Sequence, residues 1–236
     1  MATACGSAGG AIVCADADVE KAARGLIAGM NFAWCGQSCG STSRAFVHEK
    51  IYDQVLEKVK AKVGHFKPGI PTDPATTMGA IISKTQFDRV MSYIASAKSE
   101  GARLINGGGP PSDPKLAKGL FIEPTIFADV KPSMRIFKEE IFGPVVSVIK
   151  WSDEATMFEQ VNSVEYGLTA SIWTNDVTTA HRAAMTVEAG FVWVNDVSKH
   201  FLGTPFGGFK QSGIGREHGR GGIEMYTEVK SVCMFV

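Results

Sequence analysis

The 236-residue sequence carries no net charge, since 24 lysines and arginines balance 24 aspartates and glutamates. That removes the electrostatic case for nucleic acid or an anionic membrane surface as a partner. No apolar run approaches the roughly 18 residues of a membrane span, and the N-terminus lacks the basic start and apolar stretch of a secretory signal. Cysteine is scarce and odd in number, five at scattered spacings. This suits a reducing compartment, hence a cytoplasmic location, better than a disulfide framework. No internal repeat is present. What remains is ordinary for a protein with a real core: 44% hydrophobic and 20% charged residues, in one large domain or two small ones.

The first ten residues, MATACGSAGG, are small and aperiodic, and are expected as a flexible leader. From 11 to 225 the pattern alternates. AIVCA (11–15), RAFVH (44–48), ARLING (102–107), PVVSVIKW (144–151), ASIWTN (170–175) and FVWVN (191–195) are strand candidates. The continuous apolar runs among them are those of strands buried on both faces. Between them, apolar residues recur at helical spacing, first at Val19, Ala22, Ala23, Leu26, Ile27 and Met30, then at Tyr52, Val55, Leu56, Val59 and Val63. Asp16 or Asp18 can cap the first of these helices, and Ser83 with Gln86 has the spacing of a capping box that opens a third. Further helical stretches fall near 153–163 and 177–188. Such alternation predicts an α/β fold, a doubly wound and mostly parallel sheet with helices on both faces. The last segment, YTEVKSVCMFV (226–236), is β-prone with no helix after it, and reads as an edge strand that pairs with another chain.

A thiol becomes a good nucleophile when its pKa is lowered or a base lies close by. In FAWCGQSCGSTSR (32–44), Cys35 would continue the apolar helix and reads as a packed residue. Cys39, flanked by glycine and serine, is the more accessible sulfur. A zinc site from Cys35, Cys39 and His48 lacks the usual ligand number and spacing, so no metal is expected. The glycines of PFGGFKQSGIGREHGRGG (205–222) include GxGxxxG, but no strand before it opens a βαβ unit. They suit a tight loop passing a site. FKEEIFGPV (137–145) places Glu139 and Glu140 side by side, where they point apart rather than form a dyad. His200 reads as a pocket wall more than a base.

Taken together, GQSC after an apolar stretch, KEEIFGPV about a hundred residues on, and PFGGFKQSGIGRE beyond it resemble the aldehyde dehydrogenase superfamily in content and order. ADADVEKAA and YGLTASIWTND fall in the matching places. The resemblance implies that Cys39 is the thiol that attacks an aldehyde carbonyl, with hydride passing to NAD or NADP and water releasing the acid. By the same likeness, Glu140 binds the nicotinamide ribose and Phe142 lies beside the cofactor. Phe206 walls the aldehyde channel, and the VSKHF loop, with His200 and Phe201, shapes it further. The backbone N–H of Cys39 supplies an oxyanion donor.

The resemblance also implies that roughly half of a family member precedes this sequence. That half carries the cofactor domain, an oxyanion-hole asparagine and a general-base glutamate, whose place here reads ACGSAG (4–9). The chain is therefore expected to be a catalytic domain and tail behind an unrelated leader. It should bind cofactor weakly, turn over poorly, and form homo-oligomers through the C-terminal strand. A non-catalytic oligomerising scaffold and a cofactor-independent thiol esterase are the alternatives.

Overall fold

A computed structural model describes residues 9–236. Most of the expected leader lies outside the described residues, and Gly10 already belongs to the first strand. Seven strands form one sheet: β1 (Gly10–Val13), β2 (Arg44–His48), β3 (Arg103–Asn106), β4 (Thr125–Ala128), β5 (Val145–Trp151), β7 (Thr169–Trp173) and β8 (Phe191–Val194). Their order is β3-β4-β5-β2-β1-β7-β8. Every pairing is parallel except the edge pair β3–β4. β6 (Tyr166–Gly167) and β9 (Phe209–Lys210) make a separate two-stranded antiparallel ladder.

The crossover β1–α1–β2 runs one way along the sheet, and β5–α5–β7 and β7–α6–β8 run the other. Right-handed crossovers of opposite direction place their helices on opposite faces. So α1 (Val19–Gly29) and α2 (Tyr52–Val63), which pack on each other, cover one face, while α5 (Glu154–Asn162) and α6 (Val177–Thr186) cover the other. The doubly wound, mostly parallel α/β sheet expected from the sequence is the fold. α3 (Lys84–Ser99) and the short α4 (Arg135–Lys138) lie toward the β3–β5 end and touch each other.

Burial on both faces accounts for the unbroken apolar runs: β1, β4 and β7 are buried at every position. In register, Ile12 sits between Phe46 and Ile172. α1 approaches β7 closely enough that a Cβ on Gly25 would fall 1.9 Å from the Trp173 ring. Arg44 is buried, with its guanidinium over the rings of Phe46 and Phe137, which meet each other edge to face. It donates to the carbonyls of Gln160 and Val161 in the last turn of α5, at 3.4 and 3.0 Å. A cation there satisfies orphan carbonyls and complements the helix dipole.

Local chemistry sets the helix starts. Asp18 caps α1 by accepting from Lys21 N–H at 2.9 Å. Asp16, the other candidate cap, instead accepts from the Thr174 hydroxyl and the Asn175 N–H. Ser83 caps α3, accepting from Gln86 N–H, but the Gln86 side chain does not return to close the box.

One expectation changes. α1 ends at Gly29, and Asn31 takes a left-handed conformation (φ 55°), so Cys35 closes a separate short turn, Phe32–Trp34, rather than extending the helix. The tail was expected to pair as a strand with another chain; within this one chain 227–236 is neither helix nor strand, with Val229, Met234, Phe235 and Val236 largely exposed. A strand exists only with a ladder partner, and the described residues of this one chain supply none to the tail.

Candidate active site

Cys39 lies in the loop that leads into β2, and Glu140 and Phe142 lie in the loop that leads into β5. Both loops sit at the N-terminal ends of adjacent parallel strands. Open α/β sheets usually bind ligands at the opposite, C-terminal edge, so the sheet rule alone misplaces this site.

The thiol loop is pinned at several points. Thr42 N–H donates to Gly29 O at 2.9 Å, the Asn31 amide donates to Ser41 Oγ at 3.2 Å, and Ser41 Oγ donates to Met30 O at 3.2 Å. Gln37 accepts from Ile82 N–H at 3.0 Å, and Thr169 at the start of β7 donates to Gly40 O at 3.3 Å. Gly36 sets how closely the two loops meet. It has φ 63°, and a Cβ there would lie 2.2 Å from Gly143 O. Only glycine permits both the conformation and the contact.

α3 fixes the second loop. The Gln86 amide donates to Ile141 O at 3.0 Å and Phe142 O at 2.9 Å, and Arg89 donates to Glu140 O at 3.0 Å. Glu139 accepts from the Tyr93 hydroxyl at 2.8 Å and pairs with Arg135 at 3.1 Å, which together hold its carboxyl below the usual range. Glu140 does something else: its charge bears on Cys39. The two neighbouring acids thus serve different partners. Phe142, left-handed at φ 53° and 37% exposed, sits at the rim.

Two cysteines are distinguished by environment. Cys35 is buried with its S–H directed at Gly79 O, 3.2 Å away, and burial pushes its thiol up to about 11. Cys39 is half-buried. Burial raises its thiol as well, and the negative charges of Glu140 and Glu217 add to that, while backbone N–H groups at Cys39 and Gly40 work the other way. The resting group is therefore a thiol awaiting a base, not a standing thiolate.

Glu217 was not singled out by sequence reasoning. It is placed by a two-way backbone pairing with Phe206, at 2.8 and 2.7 Å. Phe206 is 8% exposed and packs on Phe191, 5.6 Å between centroids, and His200, 4.9 Å. His218, also missed, completes this aromatic group, 6.0 Å from His200 and 6.2 Å from Phe206. Phe201 stands apart with 61% of its surface exposed. The structure thus pairs Phe206 with Glu217, groups His200 with Phe206, and leaves Phe201 at the surface. Among the described residues no group of three or more His, Cys, Asp or Glu is arranged to hold a metal, and no helix is long and apolar enough to cross a membrane.

The sequence profile of the Aldehyde dehydrogenase family matches residues 1–232. The chain belongs to the aldehyde dehydrogenase family. That match includes the first ten residues, whose composition alone suggests an unrelated leader. Aldehyde dehydrogenase tropH of Talaromyces stipitatus is 57% identical over 221 residues, 92% of this chain and 43% of the relative. Betaine aldehyde dehydrogenase of Brucella anthropi is 43% identical, over 94% of this chain and 45% of its own length. Among solved structures, the NAD+ complex of aldehyde dehydrogenase from Bacillus cereus superposes with a TM-score of 0.91 at 41% identity, covering 98% of this chain and 46% of that one. This aldehyde dehydrogenase chain spans less than half the length of the relatives it matches.

Proposed function

We propose that Cys39 is the nucleophile for an aldehyde, and that the site is one part of an NAD- or NADP-dependent aldehyde oxidation. The observation that carries this reading is the half-buried Cys39, on a loop that Gly36 holds against the Glu140–Phe142 loop, where an added Cβ would fall 2.2 Å from Gly143 O. The sulfur attacks the carbonyl carbon, forming an S–C bond as the carbonyl π pair moves to oxygen. The thiol proton leaves by way of a neighbouring carboxylate and ends on that oxygen, giving a thiohemiacetal. The Cys39 N–H donates to the developing oxyanion, a contribution that can match the nucleophile's in size.

Glu140 and Phe142 suit the nicotinamide ribose end of a cofactor: a carboxylate and a partly exposed ring, both held by α3 through backbone carbonyls. The chemistry that NAD or NADP supplies when bound is hydride acceptance, with a carboxylic acid as product. The glycines at 213, 215 and 219 lead only into the six-residue α7 (Gly219–Glu224) and give no pyrophosphate cradle. On that ground the 236-residue chain by itself binds cofactor weakly and turns over slowly. NADH formation across an aldehyde panel is the test. Turnover near an ordinary rate of about 10 per second would refute the impairment, whereas no Cys39 adduct with any aldehyde would refute the function.

The exposed apolar tail, with Tyr226, Val229, Val232, Met234 and Phe235 outward, supports a homo-oligomer in which tail strands pair between chains. Light scattering showing a monomer at tens of micromolar, about where edge-driven association sets in, would count against it. The same tail favours the second reading, a non-catalytic scaffold, if Cys39 proves inert. A cytoplasmic location completes the proposal.

A further inference from the structure

We propose that a cavity at the C-terminal edge of the sheet, between α1 and the loop after β8, binds a phosphate monoester that carries a flat apolar group. Open α/β sheets usually hold ligands outside the C-terminal strand ends, where the crossovers diverge. Here that point is the junction of β1 and β7, sheet neighbours whose crossovers leave in opposite directions. Cys39 lies at the other edge, so the inference is independent of the reading of that thiol.

A cavity of about 440 Å³ opens beside this junction. Lys21 and Arg24 reach it from α1, Trp173 from the end of β7, and Asn195, Asp196 and Lys199 from the loop after β8. Trp173 is 5% exposed, and its indole N–H is engaged by Ser171 Oγ at 3.2 Å. What it offers a ligand is therefore apolar ring. Asn195 is engaged as well: its side chain accepts from Thr174 N–H at 3.1 Å and donates to Thr174 O at 2.8 Å.

The charges of the lining do not balance. Asp196, its one acid, pairs with Lys199 at 2.7 Å and accepts from Val197 N–H at 2.9 Å. The two acids of the first turn of α1 are also committed. Asp18 caps the helix, and Glu20 pairs with Lys58 and Lys62 of α2. Lys21 and Arg24 are left over, and neither side chain makes an ion pair or a hydrogen bond among the described residues. Three residues apart, they share one helix face and repel each other. An anion between them relieves that repulsion. With Lys199 against Asp196, the lining has two positive charges in excess, which matches the charge of about −1.5 to −2 on a phosphate monoester near neutral pH. Val197 of the same loop packs on the end of α1, where a Cβ on Gly29 would fall 2.8 Å from it. A ligand held by Arg24 and Lys199 ties that loop to the helix at a second place.

The test is calorimetric titration of the 236-residue chain with phenyl phosphate, inorganic phosphate and benzoate. Phenyl phosphate should saturate one site with a dissociation constant of about 1 mM or below. Inorganic phosphate, without the ring, should bind about three- to tenfold more weakly, and benzoate, with a single charge, about tenfold more weakly. Lys21→Gln/Arg24→Gln should cost about tenfold or more in phenyl phosphate affinity, the worth of a charged hydrogen bond. Both positions are exposed and glutamine is a good helix former, so that variant keeps its fold. Asp196→Asn releases Lys199 and should tighten phenyl phosphate about two- to fivefold. The proposal is overturned by no saturation at about 10 mM phenyl phosphate, by undiminished binding in the double variant, or by unchanged or weaker binding in Asp196→Asn. Benzoate or inorganic phosphate binding as tightly as phenyl phosphate would overturn it too.

Discussion

Replacing Gly36 with alanine tests whether the thiol loop and the Glu140 loop are locked together as described. Gly36 has φ 63°, and the added Cβ would lie 2.2 Å from Gly143 O, 2.6 Å from Gly143 C and 2.7 Å from Met30 Cε. The left-handed conformation costs an L-residue about 1–2 kcal/mol. The clash is with backbone, so one loop must withdraw by about 1 Å, and overpacking of this kind costs a further 1–3 kcal/mol or so. The sum is about 2–5 kcal/mol. For a domain of this size each kcal/mol lowers the melting temperature by about 2–4 °C, so a fall of roughly 10 °C is expected by calorimetry. Gly64 provides the control. It caps α2 at φ −63°, and a Cβ added there would meet nothing within 4 Å, so Gly64→Ala should leave stability unchanged or raise it by up to about 1 kcal/mol. If Gly36→Ala melts with the wild type, the close approach of the two loops is wrong.

Removing a negative charge beside Cys39 should lower its pKa, because Glu140 and Glu217 disfavour the thiolate. In a Cys5→Ser/Cys233→Ser background, Glu217→Gln should therefore speed alkylation of Cys39 at neutral pH and move the midpoint of its pH–rate curve down, and an unchanged midpoint would remove Glu217 from the site. Cys14 and Cys35, which burial pushes up to about 12 and about 11, should stay slow at that pH. Arg44→Ala should cost about 2–4 kcal/mol in denaturant unfolding, since it strips two carbonyls at the end of α5 of their donor and uncovers the packed rings of Phe46 and Phe137.

The sheet was legible because a strand buried on both faces must be apolar throughout, as RAFVH and PVVSVIKW are. α2 was legible to the residue, since Tyr52, Val55, Leu56, Val59 and Val63 form its buried stripe and Gly64 ends it. β4 was missed: four residues, TIFA, right after Pro124, are too short to show a period. The end of α1 was misjudged because apolar residues continue through Trp34, while the break depends on the left-handed conformation of Asn31. The candidate site was half visible. Motifs marked Cys39, Glu140, Phe142 and Phe206, but Gln86 and Arg89 look like the solvated face of a helix until the loop they hold is seen. Glu217 and His218 gain their meaning from a pairing eleven residues back, at Phe206, and from ring contacts to it, neither of which has a local signature.

The central claim is that the Cys39 sulfur bonds to an aldehyde carbon. A carbon-13 NMR spectrum of the wild-type chain with an aldehyde labelled at its carbonyl carbon reads that bond without any cofactor. A new tetrahedral S–C–O resonance that is absent with Cys39→Ser and retained with Cys35→Ser is the predicted result. The aldehyde and its hydrate alone, or an adduct that survives loss of Cys39, would contradict it.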